Sequence, residues 1–411
     1  LRGSHPAGPA NRENVFSSAA SERPGLPLVN KNTFSRRCPL HFPSQRRAGV
    51  FDVSGMSETF SNGGREGAGT RVGRRATMKQ VAALAGVSLS TVSRVVNGDP
   101  AVGADLAERV QTAAAALGYR HNVAASALRR ADGLSASIGV IVEDVANPFF
   151  SAVQRGIEDV ARRRGVLTFA GSSDEVPERE RELAEALGSR GVDGLIIAPA
   201  ASDQSYLLRD RAAGMALVFV DRPGRFIDAD AALADNAGGA RQAVAHLVSG
   251  GHRRIGFLGD RPELYTSGER LRGYREALAA HGLPAPEHLI RHTLPRAADA
   301  YERTRDLVLG PAPPTALFTS QNLITIQAAQ AIHDLGRQRT LALVGFDDIA
   351  LAGLLEPGLT VISQNAAGLG HAAADLLFDR LDGDVGPSRT VVLPTTLIAR
   401  GSGELPPAAV P

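Results

Sequence analysis

Between residues 137 and 400, short apolar runs alternate with longer amphipathic stretches. Eight runs predict strands, at residues 138–142, 166–170, 194–198, 217–220, 255–258, 316–319, 341–345 and 359–362. Most are separated by at least ten residues of helical pattern, and the first such stretch repeats apolar residues with the 3.6-residue period of a helix. This alternation predicts a doubly wound α/β fold with parallel sheets. Because roughly 270 residues exceed the usual size of one core, we expect two lobes.

Residues 77–118 carry the pattern of three short helices. Thr77 and Gln80 have the spacing of a capping box, Gly86 ends the first helix, and Ser88 can cap the second. The sequence Asn-Gly-Asp-Pro at 97–100 separates the second helix from the third. The expected buried faces are Val81, Ala82, Leu84 and Ala85, then Val92, Val95 and Val96, then Leu106, Val110, Ala113, Ala114 and Leu117.

These patterns divide the chain into five parts. We expect a disordered leader at 1–75, a helix-turn-helix domain at 76–120 and a hinge at 121–136. Within the leader, Met56 is the expected true start of the protein. The α/β body at 137–403 is expected in two lobes, about 137–235 with 365–390 and 236–364 with 391–403. Its lobes should be joined near Asp235, Gln364 and Val391, and a disordered tail should occupy 404–411.

Charge and composition limit the function classes. Residues 71–130 have nine basic and three acidic side chains, whereas the whole chain has a net charge of only +2, so a polyanionic partner is expected at this end. A solvated charged tail is the alternative. Cys38 is the single cysteine, and no run of 18 apolar residues occurs. We therefore expect a cytoplasmic protein without disulfides, a metal site, a cofactor or a membrane segment.

The second helix of the small domain is the candidate DNA reader. Two helices joined by Gly86-Val87-Ser88 form a helix-turn-helix, whose second helix can enter the major groove. Arg94 can offer a bidentate fork to guanine, and Ser88, Thr91 and Ser93 can bind phosphates. The exposed side chains should be Leu89, Ser90, Ser93, Arg94 and Asn97. The pattern by itself also fits a small helical bundle without DNA-binding function.

Residues 82–98, with Ala-Ala-Leu-Gly-Tyr at 115–119, closely resemble the head of the LacI/GalR family of bacterial regulators. The resemblance continues to about Arg400. It implies that Leu89 and Ser90 set sequence specificity, that Arg94 reads a base, and that Thr77 and Met78 touch DNA. It also implies a hinge that includes Asn122 and becomes helical on the operator, with Leu128 wedged into a minor-groove step.

The sequence departs from the family pattern at several positions. His121 replaces the usual Pro, Ser126 an Arg, and Gly103 a capping Ser, which affects the hinge and the third helix. Gln80 replaces an Asp. In the body, Gln321-Asn322 stands where the family usually has Asn-Asp, and the first of these commonly contacts ligand. Gln321 is therefore expected to reshape the pocket.

Polar residues follow several predicted strands, at the edge where open α/β sheets bind ligands. They are Asp221 with Arg222, Asp235 with Asn236, and Asp347 with Asp348. Taken singly, each is as well explained as a helix cap or a surface ion pair. Neighbouring carboxylates and arginines suit the hydroxyl groups of sugars, since each can hold two hydroxyls.

The family resemblance assigns ligand roles to some of these positions. Asn-Pro-Phe-Phe at 147–150 and the stretch 266–274 resemble family motifs of the ligand pocket. The resemblance implies that Arg270 binds the effector and that Asp221 and Asp347 are polar contacts. The full expected set is Phe149, Phe150, Asp221, Thr266, Arg270, Gln321 and Asp347.

We therefore expect a repressor that binds a palindromic operator as a homodimer, controlled by a small sugar or nucleoside between the lobes. An activator, or a regulator controlled by a protein partner, is the alternative within this class. An enzyme is disfavoured because phosphate-binding, nucleophile-elbow and metal-ligand motifs are missing from the sequence. A transported-solute binding protein would need an export signal. No leucine heptads follow Arg400, so a dimer is expected and not a coiled-coil tetramer.

Overall fold

The computed structural model describes residues 76–96, 99–119 and 135–408. Residues 1–75, which include Met56, lie outside the described residues, as do Asn97, Asn122, Leu128 and almost all of the expected hinge. Among the helices that are described, none combines the length and the apolar character that a membrane span requires.

The small domain consists of three helices, as predicted. They are α1 (Met78–Ala85), α2 (Leu89–Val96) and α3 (Ala104–Ala116). Thr77 and Gln80 form the predicted capping box, and Gly86 takes the left-handed conformation (φ 63°) at the end of α1. Gly103 gives α3 no side-chain cap, consistent with its departure from the family pattern.

Val81, Val92 and Val110, one from each helix, form the fully buried centre of the small domain. The expected face was wrong at three positions, because Leu84, Leu106 and Leu117 are exposed, Leu84 by 57%. Each short helix meets its two neighbours along one narrow stripe, and these leucines lie outside it. Apolar spacing alone therefore overestimated the width of the core.

The first lobe of the body contains six parallel strands and four α-helices, of which the last helix and the last strand are added when the chain returns from the second lobe. Its sheet has the order β2-β1-β3-β4-β5-β11. The strands are β1 (Ser137–Val142), β2 (Leu167–Ser172), β3 (Gly194–Ile197), β4 (Ala216–Val220), β5 (Asp230–Ala234) and β11 (Thr390–Leu393). The helices are α4 (Pro148–Arg163), α5 (Pro177–Ser189), the short α6 (Leu208–Ala212) and the returning α11 (Ala366–Leu381).

The second lobe repeats the order of the first, as β7-β6-β8-β9-β10-β12. Its strands are β6 (Ile255–Gly259), β7 (Ile290–His292), β8 (Ala316–Thr319), β9 (Ala342–Phe346), β10 (Thr360–Gln364) and β12 (Thr395–Ile398). Its helices are α7 (Asn236–Ser249), α8 (Tyr265–Ala280), α9 (Ala300–Leu309) and α10 (Asn322–Asp334). Here the last strand is antiparallel to its neighbour, whereas β11 is parallel to β5.

The eight predicted strands are present, and four were missed. β5 reads Asp-Ala-Ala-Leu-Ala, which lacks the branched residues that mark a strand, and β7 has three residues. β11 and β12 are four residues each, separated by Pro394. The confirmed fold class is thus a helix-turn-helix head followed by two parallel-sheet lobes.

Two expected boundaries need correction. The division between residues 390 and 391 falls inside β11, whose four residues all pair with β5, so the third crossing lies at Pro394 and not near Val391. The expected disordered tail begins too early, because Glu404 bonds Thr360 and His246 and Leu405 packs against the second core. Tertiary contacts hold this segment, which has no secondary-structure pattern of its own.

Candidate DNA-binding helix and effector cleft

The N-terminus of α2 is organised by hydroxyl groups. The Oγ atom of Ser88 accepts the backbone N–H of Thr91 at 3.1 Å and lies within 2.8 Å of the hydroxyls of Ser90 and Thr91. Ser88 is therefore the N-cap of α2, as its position suggested. The predicted phosphate contacts of Ser88 and Thr91 would extend this hydroxyl cluster.

The outward side of α2 presents Leu89, Ser90 and Arg94. The side chain of Arg94 is 67% exposed, and its Nε atom is 3.8 Å from an Asp99 carboxylate oxygen. An exposed ion pair of this length is weak, so the guanidinium can turn to another partner. Arg109, by contrast, donates to the carbonyl of Ala85 and joins α3 to α1. Thr77 and Met78 stand at the start of α1.

All seven expected ligand residues line one cavity between the lobes of the body. Phe149 and Phe150 come from the start of α4, Asp221 and Asp347 from the ends of β4 and β9, and Thr266 and Arg270 from α8; Gln321 precedes α10. The structure thus brings together residues up to almost 200 positions apart, because parallel strands place their carboxyl ends along one edge. Their role as ligand contacts stays a prediction.

Two of these carboxylates occupy equivalent places in the two sheets. Asp221 follows β4 with φ 67°, and Asp347 follows β9 with φ 71°. Non-glycine residues adopt this left-handed region at a cost, and such residues cluster at functional sites. Each backbone N–H bonds the next strand of its own sheet, at Ala232 and Ile362 respectively.

The other strand-end polar residues separate into caps and surface pairs. Asp235 caps α7 by accepting the N–H of Gly238 at 2.8 Å. Asp348 pairs with Arg400 through two 2.7 Å hydrogen bonds outside the cleft. The alternative interpretation offered for all these residues therefore holds for Asp235 and Asp348.

Arg222 lies at the centre of a buried carboxylate cluster in the first lobe. It donates to Glu175 at 2.8 Å and to Glu143 at 3.1 Å, and its Nε is 3.4 Å from Asp221. Burial of the guanidinium acts to lower the pKa of Arg222, but Asp221, Glu175 and Glu143 outweigh it and raise that pKa. Burial raises the pKa of Glu143 to about 8 despite Arg222, and it raises the pKa of Asp221 as well.

Arg270 is held in the second lobe by neutral partners. It donates from Nε to Asn236 at 2.7 Å and from Nη1 to the carbonyl of Ser320, and its guanidinium lies 3.8 Å from the ring centre of Phe346. Burial lowers the pKa of Arg270 and raises that of nearby Asp347, which accepts a hydrogen bond from Gln364 at 2.6 Å. These contacts orient both side chains toward the same cavity.

Contacts across the mouth of the cleft join the lobes. Arg261 donates to Glu175 at 2.7 Å, and Asn322 donates to Asn147 at 2.8 Å. The enclosed free volume is about 30 Å³, space for one or two water molecules, whereas ligand pockets measure several hundred Å³. The lobes therefore have to separate before a sugar-sized molecule can enter.

Sequence reasoning missed several residues that line the cavity, namely Glu143, Asn147, Asp260, Asn322 and Gln364, and it noted Arg222 without assigning it to the site. Glu143 and Asp260 directly follow β1 and β6, so the strand-end rule that found Asp221 would have found them. Asp260 accepts a hydrogen bond from Gln321 at 2.6 Å, which places the departure from the family pattern beside a second carboxylate. No group of metal-binding side chains occurs in the described parts of the chain.

Two family models match this chain. The model for bacterial regulatory proteins of the lacI family matches residues 77–122, and that for a periplasmic binding protein-like domain matches residues 244–403. The transcriptional regulator CelR of Thermobifida fusca is 32% identical over 341 residues, covering 80% of this chain and 99% of CelR. The ribose operon repressor of Haemophilus influenzae is 31% identical, covering 80% of this chain and 98% of that protein.

Solved structures show the same architecture. The lac repressor dimer bound to operator and an anti-inducer is 26% identical, with a TM-score of 0.71 over 80% of this chain and 99% of that one. A complex of CelR with cellobiose is 30% identical, with a TM-score of 0.60 over 80% and 100% of the two chains. The relatives that match along most of their length are transcription regulators.

Proposed function

Since this chain belongs to the LacI family of bacterial transcription regulators and carries its DNA-binding domain, we propose that it is a repressor controlled by a small sugar. It binds a palindromic operator as a homodimer, in the cytoplasm and on the nucleoid. The observation that carries the proposal is that one chain combines an exposed helix of a helix-turn-helix with a closed cleft in which a buried carboxylate oxygen, Asp221 Oδ1, accepts no hydrogen bond from any described residue.

The recognition helix α2 supports sequence-specific binding. The exposed side chains of Leu89, Ser90 and Arg94 are of types that contact base edges, and the hydroxyl cluster at Ser88 supports a contact with phosphate. Ser93 and the undescribed Asn97 complete the proposed set on this helix, with Thr77 and Met78 at the start of α1. Asn122 and Leu128 of the hinge are proposed from the resemblance alone.

An apolar surface on the second lobe supports the homodimer. It is formed by Ile326, Leu351, Leu354 and Leu355 beside a groove along α10, and Leu354 is 80% exposed. A contiguous apolar surface of this kind marks an interface. A second copy is the occupant that a palindromic operator requires, since two-fold DNA symmetry is matched by two-fold protein symmetry. The lac repressor structure is likewise a dimer.

A sugar effector is supported by the cleft and by the relatives. Carboxylate oxygens, arginine and amide groups converge on one cavity beside Phe149 and Phe150, whose rings contact edge to face at 5.0 Å. Such a mixture of polar groups and an apolar wall suits hydroxyl-rich ligands. The related CelR binds cellobiose in its solved complex, and another relative is a ribose operon repressor.

The operator is identified by mapping bound DNA across the source genome, and the test is a pair of head variants on that site. Arg94→Ala should weaken operator binding by about 1–3 kcal/mol and relax selectivity at one base pair of each half-site. Lys79→Ala removes the same charge from exposed α1 and is the control, which should weaken operator and random DNA alike. If Arg94→Ala also weakens both equally, α2 does not read sequence.

A further inference from the structure

We infer that the effector is an electrically neutral, hydroxyl-rich molecule, and that phosphorylated sugars and sugar acids do not serve as effectors. This inference rests on the proposed effector site and narrows its ligand class. The names of relatives that refer to ribose or cellobiose do not show whether this protein binds a neutral or a charged sugar. The net charge of its cleft depends on its own side chains.

The cleft has more acidic than basic groups. Besides Glu143, whose pKa of about 8 keeps it mostly protonated at neutral pH, three carboxyl groups line the cleft, from Asp221, Asp260 and Asp347, against two guanidinium groups, from Arg222 and Arg270. An anion a few ångströms from an uncompensated carboxylate is strongly disfavoured in a buried site. The balance of charge therefore opposes a phosphate or carboxylate ligand.

Arg222 is not available to bind an anion. Its Nη2 atom donates to both Glu143 and Glu175, its Nη1 donates to the carbonyl of Pro199, and its Nε faces Asp221. The side chain is only 7% exposed. An anionic ligand would have to displace one of these buried carboxylates from the arginine, which would leave an unpaired charge behind.

Arg270 is the remaining cation, and it is already balanced. Its hydrogen bonds to Asn236 and Ser320 use Nε and Nη1, so Nη2 can donate to a ligand. The carboxylates of Asp347 and Asp221 both lie close enough to stabilise its positive charge. One N–H toward a hydroxyl fits this arrangement, whereas a phosphate would face the two carboxylates that flank the arginine.

Among the described residues that line the cleft, three buried side-chain atoms make no hydrogen bond; two are acceptors, and the third, Arg222 Nε, faces the Asp221 carboxylate at 3.4 Å. Asp221 Oδ1 and Gln364 Oε1 are buried and accept no hydrogen bond from any described residue, and Asp221 is 3% exposed. Buried hydrogen-bond acceptors normally have a donor, and a buried acceptor without one destabilises the protein. A hydroxyl group can donate to them, whereas an ionised phosphate or carboxylate has only acceptors. The cleft thus requires a ligand that donates hydrogen bonds.

The test is isothermal calorimetry with the full chain and matched compounds. The neutral probes are D-ribose, D-glucose, D-galactose, cellobiose and adenosine. The charged partners are ribose 5-phosphate, glucose 6-phosphate, gluconate, galacturonate and the cation glucosamine. We expect at least one neutral probe to bind and its anionic counterpart to bind more than about 100-fold more weakly.

The substitution Asp221→Asn should change the affinity for a neutral ligand and for an anionic ligand in opposite directions. Asparagine tolerates the left-handed backbone at this position, so the turn is kept while one negative charge and one acceptor are removed. The variant should bind the neutral probe about 10-fold to 100-fold more weakly. If the natural ligand were an anion, the same substitution would strengthen binding. Asp348→Asn, outside the cleft, is the control.

Three results would overturn the inference: an anion that binds as tightly as its neutral counterpart, glucosamine that binds more tightly than glucose, or no neutral probe that binds. Calorimetry needs no DNA, so these results are separate from the proposed repressor function. Failure of the protein to bind DNA, with neutral sugars still bound, would refute the repressor proposal and leave the ligand class standing.

Discussion

The two lobes of the body share a strand order and differ in how they treat a buried arginine. In the first lobe, Arg222 is surrounded by the carboxylates of Glu143, Glu175 and Asp221. In the second, Arg270 donates to an amide and a backbone carbonyl and lies over Phe346. The shared topology supplies equivalent positions at the strand ends. The side chains at these positions give the two buried arginines different surroundings.

This division assigns different tasks to the two arginines. Arg222 neutralises charges that the first lobe has buried, so its main contribution is to stability. Arg270 leaves one donor for the cavity, so we propose that its main contribution is to ligand binding. Variants in which each arginine is replaced singly test whether the two arginines have these different functions.

The largest expected effect is on stability. Arg222→Ala should lower the free energy of unfolding by about 3–5 kcal/mol, because it leaves buried carboxylates without their counter-ion. Arg270→Ala should cost about 1–3 kcal/mol, since its hydrogen-bond partners are neutral. Urea unfolding followed by circular dichroism measures both. Equal losses for the two variants would contradict the assignment of separate tasks.

The second effect concerns the effector response. Arg270→Ala should lower the affinity for the sugar identified by calorimetry by about 10-fold to 100-fold, because a charged hydrogen bond to the ligand is lost. The measurement is the sugar concentration that half-releases the operator complex. Arg241→Ala, an exposed arginine paired with Glu276 on the second lobe, is the control. An Arg270→Ala protein that responds at the wild-type concentration would place the ligand elsewhere.

The third effect is a pH dependence of stability that arises from Glu143 in the first lobe. The pKa of Glu143 is raised from 4.5 in the unfolded chain to about 8 in the folded protein. The folded state therefore holds a proton that the unfolded state releases, so this group lowers stability as pH rises from about 4.5 to 8 and changes nothing further above that range. Glu143→Gln should flatten the fall in Tm across this interval.

The control for this pH profile is Glu276→Gln. Hydrogen bonds from Arg272 and Arg241 lower the pKa of this exposed carboxyl in the folded protein, and its ordinary value of 4.5 leaves it mostly ionised above pH 5 in the unfolded chain as well. Its substitution should leave the slope between pH 5 and 8 as in the wild type. A Glu143→Gln profile parallel to the wild type would show that the buried carboxyl is ionised throughout.

The smallest effect tests the contact between the lobes. Arg261→Gln removes the 2.7 Å pair with Glu175, but the arginine is 37% exposed and solvent screens the interaction. We expect a loss of sugar affinity of about twofold to fivefold at low salt, and almost none in 1 M salt. Arg275→Gln, whose partner Glu287 lies in the same lobe, is the matched control. A change that persists at high salt would indicate a direct ligand contact instead.

The sequence by itself determined the features that depend on local spacing. The period of the apolar residues is set by each strand or helix alone, so eight of twelve strands and the three helices of the head could be predicted. The strand-end rule and the family motifs named seven residues that now line one cavity. Short or alanine-rich strands such as β5 escaped, because they lack the branched residues that make the period visible.

Only the tertiary structure separated neighbours with the same chemistry. Asp347 is buried in the cleft, whereas Asp348, the next residue, pairs with Arg400 outside it. The bond between Asn147 and Asn322 joins residues 175 positions apart. Such choices depend on how two sheets and their helices close on one another, and that is a property of packing between distant segments which no local period encodes.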